Sequence, residues 1–143
     1  MSGLAIRQPL GGLGLTPEIP ATGRIRRHSA PGINVFQGDF QALTPDILGQ
    51  VDGIHDRAAV FALLPDLQRV YGAHLVGLTG DAPLLLICLE HDSAAGPHFS
   101  VTGPEVAALY GGHYRITLLP SEPTEAFGLG RAAVNLVWHL ARG

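Results

Sequence analysis

Pro83-Leu84-Leu85-Leu86-Ile87-Cys88-Leu89 is an unbroken apolar run behind a proline, preceded by Thr79-Gly80 and followed by the polar trio Glu90-His91-Asp92. A run of this length without alternation reads as a strand buried on both faces, the pattern of a parallel strand packed between layers. Upstream of it, Leu63, Leu67, Val70, Leu75 and Leu78 fall mostly at three- and four-residue spacing. This predicts a helical stretch from Ala58, interrupted near Pro65 and closed by Thr79-Gly80. Further upstream, Val51 to Asp56 and Ile33 to Gln37 read as strands, with Thr44 as the cap of one short turn between them. Downstream, Pro104 to Tyr110 reads as a short helix stopped by Gly111-Gly112, and His113 to Leu119 and Ala132 to Leu140 as strands. Strands alternating with helices give an α/β fold of about five strands with flanking helices and parallel members. Residues 1–23 carry Pro9, Pro17, Pro20 and Gly11-Gly12-Leu13-Gly14, and read as an irregular segment ahead of a domain over 24–143.

Composition excludes several classes. The 143 residues are 46% apolar, enough for one domain with a real core. The net charge is −3, and basic residues cluster only at Arg24, Arg26, Arg27 and His28, so no phosphate-binding surface is indicated and nucleic acid is not an expected partner. The single cysteine, Cys88, lies inside the apolar run and is expected to be a buried structural thiol. There is no signal-peptide core, and no window nears the roughly 18 apolar residues that span a bilayer, so a cytoplasmic location and no membrane partner are expected. Seven histidines form neither H-E-x-x-H nor a Cys/His cluster, which leaves no metal site. There is no G-x-S-x-G, and Ser100 in Phe99-Ser100-Val101 is not on a glycine-flanked elbow, which argues against a serine hydrolase.

In open α/β sheets, ligands bind beyond the carboxyl ends of the strands. Here those ends carry Gly38-Asp39-Phe40, His55-Asp56-Arg57 and Glu90-His91-Asp92. Asp39 could accept from an exocyclic amine while Phe40 covers a planar ring, or it could simply close the strand with an Asx-turn. Asp56-Arg57 could contact a ligand, or form a salt bridge at a helix start where the acid complements the dipole.

Four motifs in order connect these positions: Ala30-Pro31-Gly32-Ile33, Gly38-Asp39-Phe40, Val51-Asp52-Gly53-Ile54-His55-Asp56-Arg57-Ala58-Ala59 and Gly96-Pro97-His98-Phe99-Ser100-Val101, with Tyr71, His74 and Leu75 between the third and fourth. Together they resemble the C-terminal two thirds of the thiopurine S-methyltransferase family. The resemblance implies an incomplete Rossmann-like class I methyltransferase sheet, S-adenosylmethionine as cofactor without a metal, and a small thiol or a selenium or tellurium compound as methyl acceptor. It implies adenine contacts at Asp39 and Phe40, approach of Arg57 to cofactor and substrate, and a substrate side shaped by Pro97, His98 and Phe99. His98 stands where the family has a second proline. Ser121-Glu122-Pro123-Thr124-Glu125 lacks the basic residue that the family carries ahead of its last strand.

By the same resemblance, Ser2 to Gln8 corresponds to the helix after the family's second strand. The N-terminal aromatic segment, the glycine turn of the first strand and the ribose-binding acid then have no counterpart. Neither Gly12-Leu13-Gly14 nor Gly128-Leu129-Gly130 completes a G-x-G-x-x-G turn. Two functions are therefore expected as alternatives. One is a truncated methyltransferase, weakly active or inactive alone, and the other a non-catalytic interaction module on the same scaffold. The family's missing strands would lie between Ile33–Gln37 and Val51–Asp56, leaving edges that favour a homodimer or a complementing partner over a compact monomer.

Overall fold

The computed structural model describes residues 25–92, 99–125 and 132–143. The chain divides into two compact units at Thr44/Pro45. The expectation for residues 1–23 and the two glycine pairs lie outside the described residues.

In the first unit, β1 (Ile25–Ala30) and β2 (Ile33–Gly38) form an antiparallel hairpin, registered from Ile25 opposite Gly38 to Ala30 opposite Ile33. The two-residue turn Pro31-Gly32 closes it, with Gly32 at φ +77°, where a Cβ would be strained. β2 matches the expected strand, whereas β1 is an addition. Its sequence, Ile-Arg-Arg-His-Ser-Ala, has no apolar alternation because polar pairs across the ladder do the work. The Arg27 Nε and Ser29 Oγ both donate to Asn34 Oδ1, and His28 pairs with Gln37 at 3.2 Å. A 3-10 turn over Phe40–Ala42 follows, with Asp39 Oδ1 accepting from the Gln41 amide at 3.0 Å.

The second unit runs α1 (Pro45–Leu48), β3 (Ile54–Arg57), α2 (Pro65–Thr79), β4 (Leu84–Glu90), α3 (Gly103–Tyr110), β5 (Tyr114–Leu118), β6 (Glu122–Glu125) and β7 (Ala132–Arg142). Its five-stranded sheet has the order β3-β4-β7-β5, with β6 pairing the amino-terminal half of β7 on the same side as β5. Among the described strands, only β3 and β4 pair in parallel. No other described strand pairs with β3.

The ladders align Asp56, Leu86 and Trp138 in one row and Ile54, Leu84 and Leu140 in another, so these side chains share a face. That face is the core. Leu84, Leu86, Cys88 and Leu140 are essentially inaccessible, and Leu75 and Val76 of α2 and Val106 and Tyr110 of α3 are buried as well. At about 1.5–3 kcal/mol per fully buried aliphatic side chain, this row supplies much of the unit's stability. The helices meet closely: a Cβ at Gly72 would lie 3.4 Å from the Tyr110 ring.

The other face carries the row His55, Leu85, His139 and Thr117, all exposed. The expectation that the apolar run is buried on both faces thus holds at Leu84, Leu86, Cys88 and Leu89 but not at Leu85, which is 36% exposed, or at the half-buried Ile87. A buried parallel strand and a strand with one wet face differ in what covers them, which periodicity does not encode. Burial lifts the Cys88 thiol to about 12, so it is the inert structural cysteine expected.

Two element starts and one strand also differ from the sequence reading. The helix begins at Pro65, not Ala58, because proline lacks the amide that an interior turn requires and suits the first helical position, while Leu64 before it is held extended. β3 begins at Ile54, where pairing with β4 begins, rather than at Val51. β6 is short, contains Pro123, and has no apolar signature. The helix ends where expected, with Gly80 in the left-handed conformation at φ +61°. A capping box built from Thr102 and Glu105 starts α3.

Candidate functional site

The parallel pair β3 and β4 places its carboxyl ends side by side, with Asp56 and Arg57 on one and Glu90, His91 and Asp92 following the other. The segment Phe99–Val101 stitches the two ends together. Its Phe99 amide donates to the Phe61 carbonyl at 2.7 Å, the Val101 amide to the Leu89 carbonyl at 3.0 Å, and Ser100 Oγ accepts from the His91 amide at 3.1 Å. This lacing fixes the loop after β4 against the turn after β3, so the second unit has a defined rim at these strand ends.

Asp56 and Arg57 are not partners. Alternation along β3 sends Asp56 into the core, 4% exposed, and leaves Arg57 exposed on the opposite face. The salt-bridge reading of this dipeptide is therefore replaced by two separate roles. Asp56 Oδ2 accepts from the Tyr71 hydroxyl of α2 at 2.9 Å, and Oδ1 accepts from the Ala59 amide at 3.1 Å. Sequence reasoning included Tyr71 only as part of a motif. No local signal ties residues fifteen positions apart, and only the packing of α2 on β3 does so.

Ala58, immediately after Arg57, sits at φ +81°. An L-residue with a Cβ in this region costs about 1–2 kcal/mol. Ala58→Gly removes that cost but loosens the unfolded chain by about 0.5–1 kcal/mol, so it should raise stability by about 0.5–1 kcal/mol in urea denaturation.

Burial pushes the Asp56 carboxyl above its ordinary value, partly offset by the Tyr71 and Ala59 bonds. A raised folded-state pKa means the contribution to stability is full while the group is protonated, below the unfolded value, and is lost as pH rises through the folded one. Asp56→Asn keeps an acceptor for Ala59 without the charge. Its stability relative to the parent should therefore improve as pH rises from about 4 to 7. Urea midpoints for both proteins across that range give the sign directly, and a difference that shrinks with pH would contradict it.

Asp39 is exposed and forms the Asx-turn that was one of its two readings, while Phe40 is half-buried in the first unit. Phe99 is half-buried in the lacing segment, and Pro97 and His98 lie outside the described residues. No group of three or more metal-binding side chains occurs among the described residues. Among those residues, no helix is long and apolar enough to cross a membrane. An open depression of about 420 Å³ lined by Gly53, Ile54, His55, Pro83, Leu84, Leu85 and His139 lies at the amino ends of β3 and β4, the end away from Arg57. Strand geometry favours the carboxyl rim as the site for ligand chemistry, because the connecting loops converge there.

A family model described as thiopurine S-methyltransferase matches residues 1–136. The chain is 44% identical to a thiopurine S-methyltransferase of Xanthobacter autotrophicus over 99% of its own length and 68% of that relative. It is 43% identical to one of Gluconobacter oxydans, covering 99% of itself and 66% of the relative. One from Pseudomonas aeruginosa strain UCBPP-PA14 is 40% identical over 71% of this chain and 48% of the relative. The chain thus spans about two thirds of the length of the first two relatives and about half of the third.

Proposed function

We propose, from the premise that this chain belongs to the thiopurine S-methyltransferase family, that it carries the acceptor side of a methyltransferase acting on a small thiol or a selenium or tellurium compound. The observation that carries this reading is Arg57, an exposed guanidinium at the carboxyl end of a parallel strand, on a rim laced by Phe99–Val101. Bound S-adenosylmethionine would supply an electrophilic methyl on a sulfonium, to which the acceptor's sulfur bonds as the old carbon–sulfur bond breaks and S-adenosylhomocysteine leaves. Such a transfer needs little acid–base help, so positioning dominates. A guanidinium beside the acceptor favours its thiolate form and orients it, with no proton of its own to lose. Asp39 is assigned to the adenine amine and Phe40 to the adenine ring. Capping the Gln41 amide leaves this assignment chemically open, because a carboxylate offers about four acceptor positions.

We read the fit of the described residues to the cofactor as partial, because no G-x-G-x-x-G turn occurs among them. We therefore read the chain alone as a weak binder that is slow or inactive in turnover, with β3's second edge as the place where a second copy or a complementing partner would pair. Titration with S-adenosylhomocysteine to several millimolar, followed by amide NMR, tests the site. Shift changes should concentrate at Asp39-Phe40 and Arg57-Ala58, and Arg57→Ala should reduce those at its own strand end. Shifts spread evenly over the chain, or unchanged in Arg57→Ala, would reject the assignment.

A further inference from the structure

We propose that Asp56 is a positioning residue that holds Arg57 on the ligand rim by locking Ala58 in its left-handed conformation. The inference rests on the reading of Arg57 given above. Nothing in an alanine favours φ +81°, so the conformation must be imposed by neighbours that bond the turn on either side. Two such bonds are present. The Ala62 amide donates to the Ala58 carbonyl at 3.3 Å, a long contact, while the Ala59 amide donates to Asp56 Oδ1 at 3.1 Å, with a carboxylate as acceptor. The Ala59 bond is the shorter of the two, so the Asp56 side-chain oxygen is the principal restraint.

The carboxylate is itself held. Tyr71 from α2 donates to its second oxygen at 2.9 Å, so both oxygens are fixed from inside the core and the side chain cannot swing away. Asp56 and Arg57 point to opposite faces of β3, so the restraint acts on Arg57 through the backbone only. β3 is four residues long, and no other described strand than β4 pairs with it. With so little ladder of its own, the strand end that carries the guanidinium depends on the turn that follows. Val60 and Phe61, both buried next in the chain, anchor the far side of that turn.

The test is a set of four variants: Asp56→Ala, Asp56→Asn, Ala58→Gly, and the Asp56→Ala/Ala58→Gly double. Exchange of the Ala59 amide is measured by NMR against the Val76 amide of α2, and S-adenosylhomocysteine shifts at Arg57 are measured in parallel. Asp56→Ala should speed Ala59 exchange by about tenfold or more relative to Val76 and blunt the ligand shifts at Arg57. Asp56→Asn, which keeps the acceptor, should leave both within about twofold of the parent. In the double variant, glycine adopts the turn without restraint, so the ligand shifts at Arg57 should return even though Ala59 exchange stays fast. A role in stability alone would not produce that rescue.

Unchanged Ala59 exchange in Asp56→Ala, an Asp56→Asn variant that behaves like Asp56→Ala, or a double variant with no recovery at Arg57 would each overturn the proposal. If Asp56→Ala does not fold, Tyr71→Phe takes its place. It frees one carboxylate oxygen and should speed Ala59 exchange severalfold, with the same suppression by Ala58→Gly at Arg57; no change in Ala59 exchange would overturn the proposal. Exchange results as expected, combined with ligand shifts that ignore Arg57→Ala, would leave the lock in place and refute instead the reading of Arg57 on which its function rests.

Discussion

S-adenosylhomocysteine should bind this 143-residue chain at least about 100-fold more weakly than it binds a full-length relative, with a dissociation constant in the millimolar range or beyond. The expectation follows from counting partners. The assignment proposed above gives Asp39 and Phe40 to the adenine and Arg57 to the acceptor, and no G-x-G-x-x-G turn occurs among the described residues. Two or three hydrogen bonds fewer, at about 1 kcal/mol or more each, correspond to a loss of about 100-fold. The chain spans about two thirds of the Xanthobacter and Gluconobacter relatives, so those proteins provide the reference measurement. Calorimetry on the isolated chain decides the matter, and micromolar binding would sink the idea that the cofactor site is incomplete.

The second large effect concerns the sheet. Leu86 is fully buried on the helix-covered face, in one row with Asp56 and Trp138, where neighbouring strands on both sides leave little room for collapse. Leu86→Ala should therefore lower the unfolding free energy by about 2–5 kcal/mol, from lost transfer energy plus the cavity left behind. Leu85→Ala, one residue away on the exposed face, should cost well under half as much. Urea denaturation of the pair measures the difference in one experiment. Equal losses would mean that the second face is covered in solution, as the unbroken apolar run by itself suggests.

That pair of leucines also marks where sequence reading stops. The run from Leu84 to Leu89, the helix ending at Gly80 and the helix over 104–110 were legible because apolar spacing, glycine stops and proline starts act within a few residues. So was the family: the four motifs taken together resemble thiopurine S-methyltransferases, and the family model of that description matches residues 1–136. The polar strand β1 and the proline-bearing β6 were not legible, because a ladder of backbone bonds and cross-strand polar pairs leaves no periodic apolar trace. At the site, the sequence put Asp56 and Arg57 side by side and left open whether they pair. Tertiary structure separated them: the two-residue period of β3 turned one carboxylate inward, and the packing of α2 brought Tyr71 to meet it. Covalent neighbours are fixed by the chain. Which of them share an environment is decided by the surface each side chain is packed against, and that surface is assembled from residues far away in sequence.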